Sequence, residues 1–317
     1  MTEIELVKVF THMGRGGNPC PIAVDATGLS DEHMRSVAQH FGHESGFVLP
    51  SPNIDANYTF RFWVPRHEME MCGHATIGAL WVLATKGGLV ADEVRIETLS
   101  GPVTGYVDRR NPEDPSVEIT QPVGEVVDLT PSEEEDVLSA LHISRAHLLD
   151  LPLQNAVTSR VKTLIPMKDI RHLNELVTDM KRTELCCERI GSTGLYPYAI
   201  EHQGQRRFEA RQFPKSSGYP EDAATGIAAA ALAFGLLKNG LIEPTSTRIT
   251  IFQGRAMDSL SEIRVRLGFA DGRPLGCLLG GRVTLVESHE LRLADHQADA
   301  ALKRQPRATS SASSERR

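Results

Sequence analysis

Met71-Cys72-Gly73-His74-Ala75-Thr76-Ile77-Gly78 runs without a break into Ala79-Leu80-Trp81-Val82-Leu83-Ala84. The pattern recurs in the second half of the chain as Glu221-Asp222-Ala223-Ala224-Thr225-Gly226-Ile227, followed by four alanines, Leu232, Ala233 and Phe234. Each stretch opens on proton-active or hydrogen-bonding residues, passes an Ala-Thr step and becomes a helix apolar on nearly every side. Each closes on a similar stop, Lys86-Gly87-Gly88-Leu89 and Lys238-Asn239-Gly240-Leu241. A helix without a polar face must be buried all round. Its first N–H groups have no intrahelical partner and lie at the positive end of the dipole, so its start attracts an anion. The sequence therefore suggests two similar halves, each aiming a buried helix N-terminus at a site suited to a carboxylate.

Composition narrows the setting. At 317 residues the chain exceeds the roughly 250–300 residues at which single cores stop growing, so two domains are expected. A net charge of -7 argues against a nucleic-acid surface. The one basic cluster, Lys303 to Arg307, lies in the C-terminal stretch. No run approaches the roughly 18 consecutive apolar residues of a membrane span, and Met1-Thr2-Glu3-Ile4-Glu5 lacks the regions of a signal peptide. A soluble cytoplasmic protein is expected. Cys20, Cys72, Cys186, Cys187 and Cys277 form an odd set with one adjacent pair, which does not suggest a disulfide framework. No CxxC or His-rich spacing points to a metal. Neither GxGxxG after a strand nor GxxxxGK[ST] occurs, so nicotinamide and nucleotide chemistry lose their main support and no cofactor is expected.

Glu5 to Phe10 alternates as a strand should. Gly14 to Pro21 reads as a Gly/Pro-rich loop holding Asn18. Ser30 is placed to cap a helix ending near Phe41. Gly46 to Leu49 and Thr59 to Val64 read as strands, then the buried helix from about Ala75 to Thr85, then strands at Val94 to Glu97 and Ser116 to Thr120. Near Pro122 the pattern restarts. Helices are predicted over 130–141 and 169–180, and strands over 161–165, 196–200, 206–213, 248–252, 262–267 and 282–286. Strands and helices in mixed order, repeated twice, suggest an α+β fold. From about His289 the composition has little to bury, and a disordered tail over 289–317 is expected.

In order and spacing these motifs resemble the PhzF (phenazine-biosynthesis) family of the diaminopimelate-epimerase-like fold. The resemblance covers about residues 4 to 287. It rests on Gly17-Asn18-Pro19, Gly28-Leu29-Ser30-Asp31-Glu32, His43-Glu44-Ser45-Gly46-Phe47, Cys72-Gly73-His74-Ala75-Thr76, Glu221-Asp222-Ala223-Ala224-Thr225-Gly226, Gln253-Gly254-Arg255 and Gly280-Gly281-Arg282. It implies two pseudo-symmetric domains, 1–122 (completed by a strand at 281–287) and 123–288. In each, a mixed sheet curls round a central buried helix, and the site lies in the cleft between them. It also implies a homodimer.

Glu44 stands where the family has its catalytic carboxylate. From the residues alone it reads as a surface carboxylate at a helix–strand junction or as a general base whose pKa desolvation would raise; the resemblance implies the base. His74 and Asp222 would hold or relay protons by the same resemblance, and otherwise read as a core histidine and an N-cap. Gly73 and Gly226 would let N–H groups approach a ligand, with Ala75, Thr76 and Thr225 at the two helix starts. Asn18 reads as a substrate contact or a turn former. Cys72 occupies the first of two places where related racemases carry opposed cysteines; the second place, Glu221-Asp222-Ala223, has none. A helix N-terminus would lower its pKa, while cysteine is also simply a small buried residue.

The chain departs from the family pattern where Ile227 replaces a hydroxyl-bearing serine, where Ser-Glu-Thr becomes His43-Glu44-Ser45, where Asp-Pro becomes Asp222-Ala223, and where Met-Gly-Arg-Pro-Ser becomes Met257-Asp258-Ser259-Leu260-Ser261. The expectation is an isomerase that moves a proton on a small cyclic amino- or hydroxy-carboxylate, similar to trans-2,3-dihydro-3-hydroxyanthranilate isomerase, with Glu44 as general acid/base. The alternatives are a single-thiol epimerase or dehydratase using Cys72, and a small-molecule-binding protein without turnover, which Ile227 favours.

Overall fold

The computed structural model describes residues 2–89, 91–245 and 248–291. Strands β1 (Thr2–His12) and β2 (Arg15–Ala23) precede helix α1 (Asp31–Phe41). Then β3 (Ser45–Pro50), β4 (Tyr58–Trp63) and β5 (Glu68–Met69) lead into α2 (Gly73–Thr85), followed by β6 (Glu93–Thr98), β7 (Gly101–Asp108), β8 (Ser116–Gln121) and β9 (Glu125–Asp128). The second half continues with α3 (Pro131–Leu141), β10 (Gln154–Val157), β11 (Val161–Pro166), α4 (Ile170–Asn174), α5 (Met180–Arg189), β12 (Gly194–His202), β13 (Arg207–Ala210) and β14 (Phe213–Pro214). It ends with α6 (Gly226–Lys238), β15 (Arg248–Gln253), β16 (Ser261–Ala270) and β17 (Arg273–Leu291). The class is mixed α+β, as expected.

The strand pairings of the first half close on themselves, in the order β1, β2, β3, β4, β6, β7, β8, β17 and back to β1. Helix α2 packs against β1, β2, β3, β7, β8 and β17 of this ring, and every residue from Gly73 to Leu83 is buried. Glycine lets the ring close tightly: a Cβ at Gly105 of β7 would lie 2.3 Å from Leu80 Cδ1. A second run, β16–β15–β13–β12–β11–β10–β9, continues from β17. Helix α6 packs against β9, β10, β11, β16 and β17. The two all-apolar helices read from the sequence are thus each wrapped by strands, which their lack of a polar face requires.

Several expectations are corrected. The stretch read as a Gly/Pro-rich loop is β2, where Asn18 to Ile22 pair with Val9 to Glu5. The single helix expected over 169–180 is two. Asp169 accepts from His172 N at 2.9 Å to start α4, and Asp179 accepts from Arg182 N at 2.9 Å to start α5, so a second cap interrupts the run. The strand expected over 282–286 is much longer, and His289, Glu290 and Leu291 pair with Ile4, Glu3 and Thr2 rather than belonging to a tail. The rest of the expected tail, 292–317, lies outside the described residues. Strand β1 bulges at Phe10, whose φ of 70° is left-handed. The bulge puts the Phe10 ring where a Cβ on Gly226 would be, 2.9 Å from Cζ. All five cysteines are free and buried. Among the described residues no helix is long and apolar enough to cross a membrane.

Candidate active site

Helix α1 stops at Gly42, which takes the left-handed conformation that glycine adopts freely (φ 69°). The chain then turns through His43 and Glu44 directly into β3. The Glu44 backbone is held by Cys20 of neighbouring β2, whose thiol donates to the Glu44 carbonyl at 3.1 Å. The carboxylate, 30% exposed, projects toward the start of α2. There the Cys72 thiol donates to Glu44 Oε2 at 3.3 Å and lies 3.5 Å from His74 Nδ1. His74 Nε2 is 3.6 Å from the same Glu44 oxygen. Cys72 is the N-cap of α2 but caps nothing with its side chain.

The start of α6 is built differently. Its N-cap is Thr225, not Asp222, so the N-cap reading of Asp222 is set aside. Asp222 is fixed earlier in the chain by a bridge to Gln212, its N–H donating to the Gln212 carbonyl at 3.0 Å. Its carboxylate accepts from Asn18 Nδ2 at 3.1 Å and from the Thr225 hydroxyl. Gln253 ties the turn together: its amide nitrogen donates to Asp222 O at 2.7 Å, and its oxygen accepts from Thr225 N at 3.2 Å and Tyr196 OH at 3.0 Å. Burial raises the Asp222 pKa and the Glu44 charge adds to that, against the Thr225 hydrogen bond and His74. The Thr225 side chain is occupied in this network and does not cap α6.

The two helix starts face one cavity of about 110 Å³. Glu44, Cys72, Gly73 and His74 form one wall; Asp222, Thr225, Gly226 and Ile227 form another. Larger hollows of about 510 Å³ beside His142, His147 and His172, and about 580 Å³ beside His12 and Arg255, hold no group of three close donor atoms among the described residues. The small cavity does: one donor atom each of Glu44, Cys72 and His74 lies within 4.8 Å of the others, a set that could hold a cation. The sequence spacing gave no hint of it, because Glu44 comes from the turn before β3, far in sequence from the start of α2.

The cavity thus gathers Glu44, Cys72, Gly73, His74, Asp222, Thr225 and Gly226. Asn18, Ala75 and Thr76 lie behind it. Asn18 spends its amide on Asp222 and on Ala224 O at 3.0 Å. Ala75 is fully buried, its N–H facing the Cys72 sulfur. The Thr76 hydroxyl donates to Cys72 O at 2.9 Å. Gly226 lacks a side chain for a reason the sequence did not reveal: Leu279 and Phe10 fill the space of a Cβ. The expected lowering of the Cys72 pKa is overturned. Burial pushes this thiol well up and the Glu44 carboxylate pushes it further, so the helix start does not prevail. His43 is pushed down, first by burial and then by His74.

Sequence reasoning missed the third wall, Arg160, Lys162, Gln212 and Tyr219. Lys162 is buried in β11, and burial lowers its pKa to about 8, against the Asp222 charge. Burial raises the pKa of Tyr219. Gln212 is 1% exposed, and neither polar atom of its amide is hydrogen-bonded. Nothing in a strand of alternating residues announces which side chain reaches a distant helix start.

Residues 7–288 match the family described as phenazine biosynthesis-like protein, PhzC-PhzF. An uncharacterized isomerase of Deinococcus radiodurans is 30% identical over 286 residues, covering 89% of this chain and 92% of that one. The crystal structure of a Bacillus anthracis phenazine biosynthesis protein of the PhzF family superposes with a TM-score of 0.81 at 22% identity, covering 92% of this chain and 99% of that one. A hydroxyproline epimerase from Agrobacterium vitis, with bound trans-4-OH-L-proline, shares the fold with a TM-score of 0.60 at 15% identity, covering 91% of each chain. The chain therefore belongs to the phenazine biosynthesis-like PhzC-PhzF family, and with it to the isomerases.

Proposed function

We propose that the protein moves a proton on a small cyclic amino- or hydroxy-carboxylate, with Glu44 as the general acid/base. One observation carries the reading. Two helix starts without side-chain caps face a single cavity in which Glu44, beside His74, stands across from Asp222, whose pKa burial raises. A carboxyl group whose pKa is raised by burial is suited to hold a proton in an acid/base site. The free N–H groups of α2 and α6 would receive the substrate carboxylate and the negative charge that develops beside it on deprotonation. Glu44 takes the proton and returns it at another carbon. His74 and Asp222 position the substrate's amine or hydroxyl by hydrogen bonds. The hydroxyproline epimerase of the same fold is named for a small cyclic amino acid, which supports this class of substrate.

In this reading the chain is two domains, 1–122 with the last strand and 123–288, and the cavity is the cleft between them. Their closure would exclude water and strengthen every polar contact inside. A second reading has an observation of its own: the Cys72 sulfur lies between Glu44 Oε2 and the His74 ring. With its pKa raised, Cys72 would act there as a proton donor in an epimerase or dehydratase, not as a thiolate base.

Proton NMR in deuterated water tests the proposal. The native protein is incubated with trans-2,3-dihydro-3-hydroxyanthranilate and, separately, with trans-4-hydroxy-L-proline. Rearrangement or deuterium uptake at carbon in either supports proton-transfer catalysis on this class. Retention of every C–H signal in both would refute these substrates and favour a binding protein without turnover.

A further inference from the structure

Lys162 is 5% exposed, lines the same cavity as Glu44 and Asp222, and its ammonium makes no hydrogen bond or ion pair among the described residues. Lysine is almost never buried this far unless paired, because desolvation disfavours a buried charge without a partner. Asp222, and less strongly Cys187 and Glu44, favour its charge while Arg160 opposes it, but none of them forms an ion pair with it, and Asp222 is itself already bonded to Asn18 and Thr225. Arg160, exposed at the turn before β11, lines the same cavity and likewise has no ion-pair partner among the described residues. This wall of the cavity therefore carries cationic charge with no hydrogen-bond or ion-pair partner among the described residues.

The helix starts already offer N–H groups to one carboxylate. A monocarboxylate seated there leaves Lys162 buried without an anion. Seated on Lys162 instead, it leaves both helix starts unmet. A ligand with two anionic groups satisfies both walls of a cavity of about 110 Å³. We propose that Lys162, backed by Arg160, holds a second anionic group of the substrate, so that the substrate class is a small amino- or hydroxy-dicarboxylate. This rests on the isomerase reading above, but concerns binding and can be measured without turnover.

The test is calorimetric titration of the full chain with glutarate and with butyrate at pH 7. Glutarate should bind about tenfold or more tightly than butyrate, as a charge-assisted contact requires. In Lys162→Met the preference should vanish, glutarate losing affinity while butyrate does not; Lys162→Arg should restore it. Raising the pH through about 8 should weaken glutarate binding to the native protein as the ammonium discharges, and leave Lys162→Met unaffected. Binding is read here without turnover, so a failed proton-transfer assay and a failed binding preference are separate results. Equal affinities in the native protein, no glutarate binding, preference retained in Lys162→Met, or equal loss of both ligands in that variant would each overturn the inference.

Discussion

Asp222 is bound on both carboxylate oxygens, by Asn18 and by Thr225, yet burial still raises its pKa. A folded-state pKa above the unfolded one means the folded protein holds its proton more tightly. That stability is fully present below the unfolded pKa and is lost as pH rises through the folded one. Asp222→Asn removes the titration, and its amide can still accept from Asn18 and donate to the Thr225 hydroxyl. The variant should melt higher than the native protein at pH 7, gain less at pH 3, and lose proton-transfer activity. Equal melting shifts at the two pH values would show that Asp222 costs nothing when ionised. Cys72 invites the opposite test. With its thiol pushed up by burial and by Glu44, iodoacetamide should modify it slowly near neutral pH and faster as pH rises. Cys72→Ala should keep activity within about tenfold if Glu44 alone moves the proton; complete loss would favour the thiol mechanism. At this scale the sequence shows Glu44, His74 and Asp222 through flanking motifs, because each sits beside a helix or strand start that leaves a local pattern. Lys162 has no such pattern. It is one of two polar residues in Val161–Pro166, and the role proposed for it depends on what else lines the cavity.

Among the elements, the segment that carries Asp222 is anchored by Arg211. This guanidinium is bidentate to Glu221, with Nη2–Oε2 2.7 Å, and also donates to the carbonyls of Leu173 and Leu176. Both partners are largely buried, with 8% and 10% of their side chains exposed. Arg211→Met would leave Glu221 buried without its partner, a change that costs about 3–5 kcal/mol. Urea denaturation should show that loss, and a variant as stable as the native protein would show that the pair is not structural. Leu80→Ala should cost about 2–5 kcal/mol, since α2 is enclosed and β7 comes too close at Gly105 to be replaced by a neighbour's side chain. Helices α1, α2, α3 and α6 were legible because caps and apolar faces are local signals. The break between α4 and α5 was not, because Asp179 reads equally well inside a helix as at its cap. β2 was hidden by the glycines and prolines of Arg15–Ala23, which as a strand pairs with β1 along most of its length.

For the whole molecule, the ring round α2 closes only when the last strand reaches the first, Leu291 pairing with Thr2. That pairing joins the two ends of the described chain, and no local pattern could announce it; the extent of β17 was therefore underread. The repeat of two buried helices was legible because burial on all sides is written into composition, and it led directly to the cavity where their starts meet. The cavity is proposed to move a proton through Glu44. The most direct measurement is deuterium uptake into substrate by native protein and by Glu44→Gln, both confirmed folded by circular dichroism and both shown to bind glutarate. Native protein should take up deuterium, and the variant should fall about a hundredfold or more, the scale of a lost general base. Uptake at native rate in Glu44→Gln would contradict it.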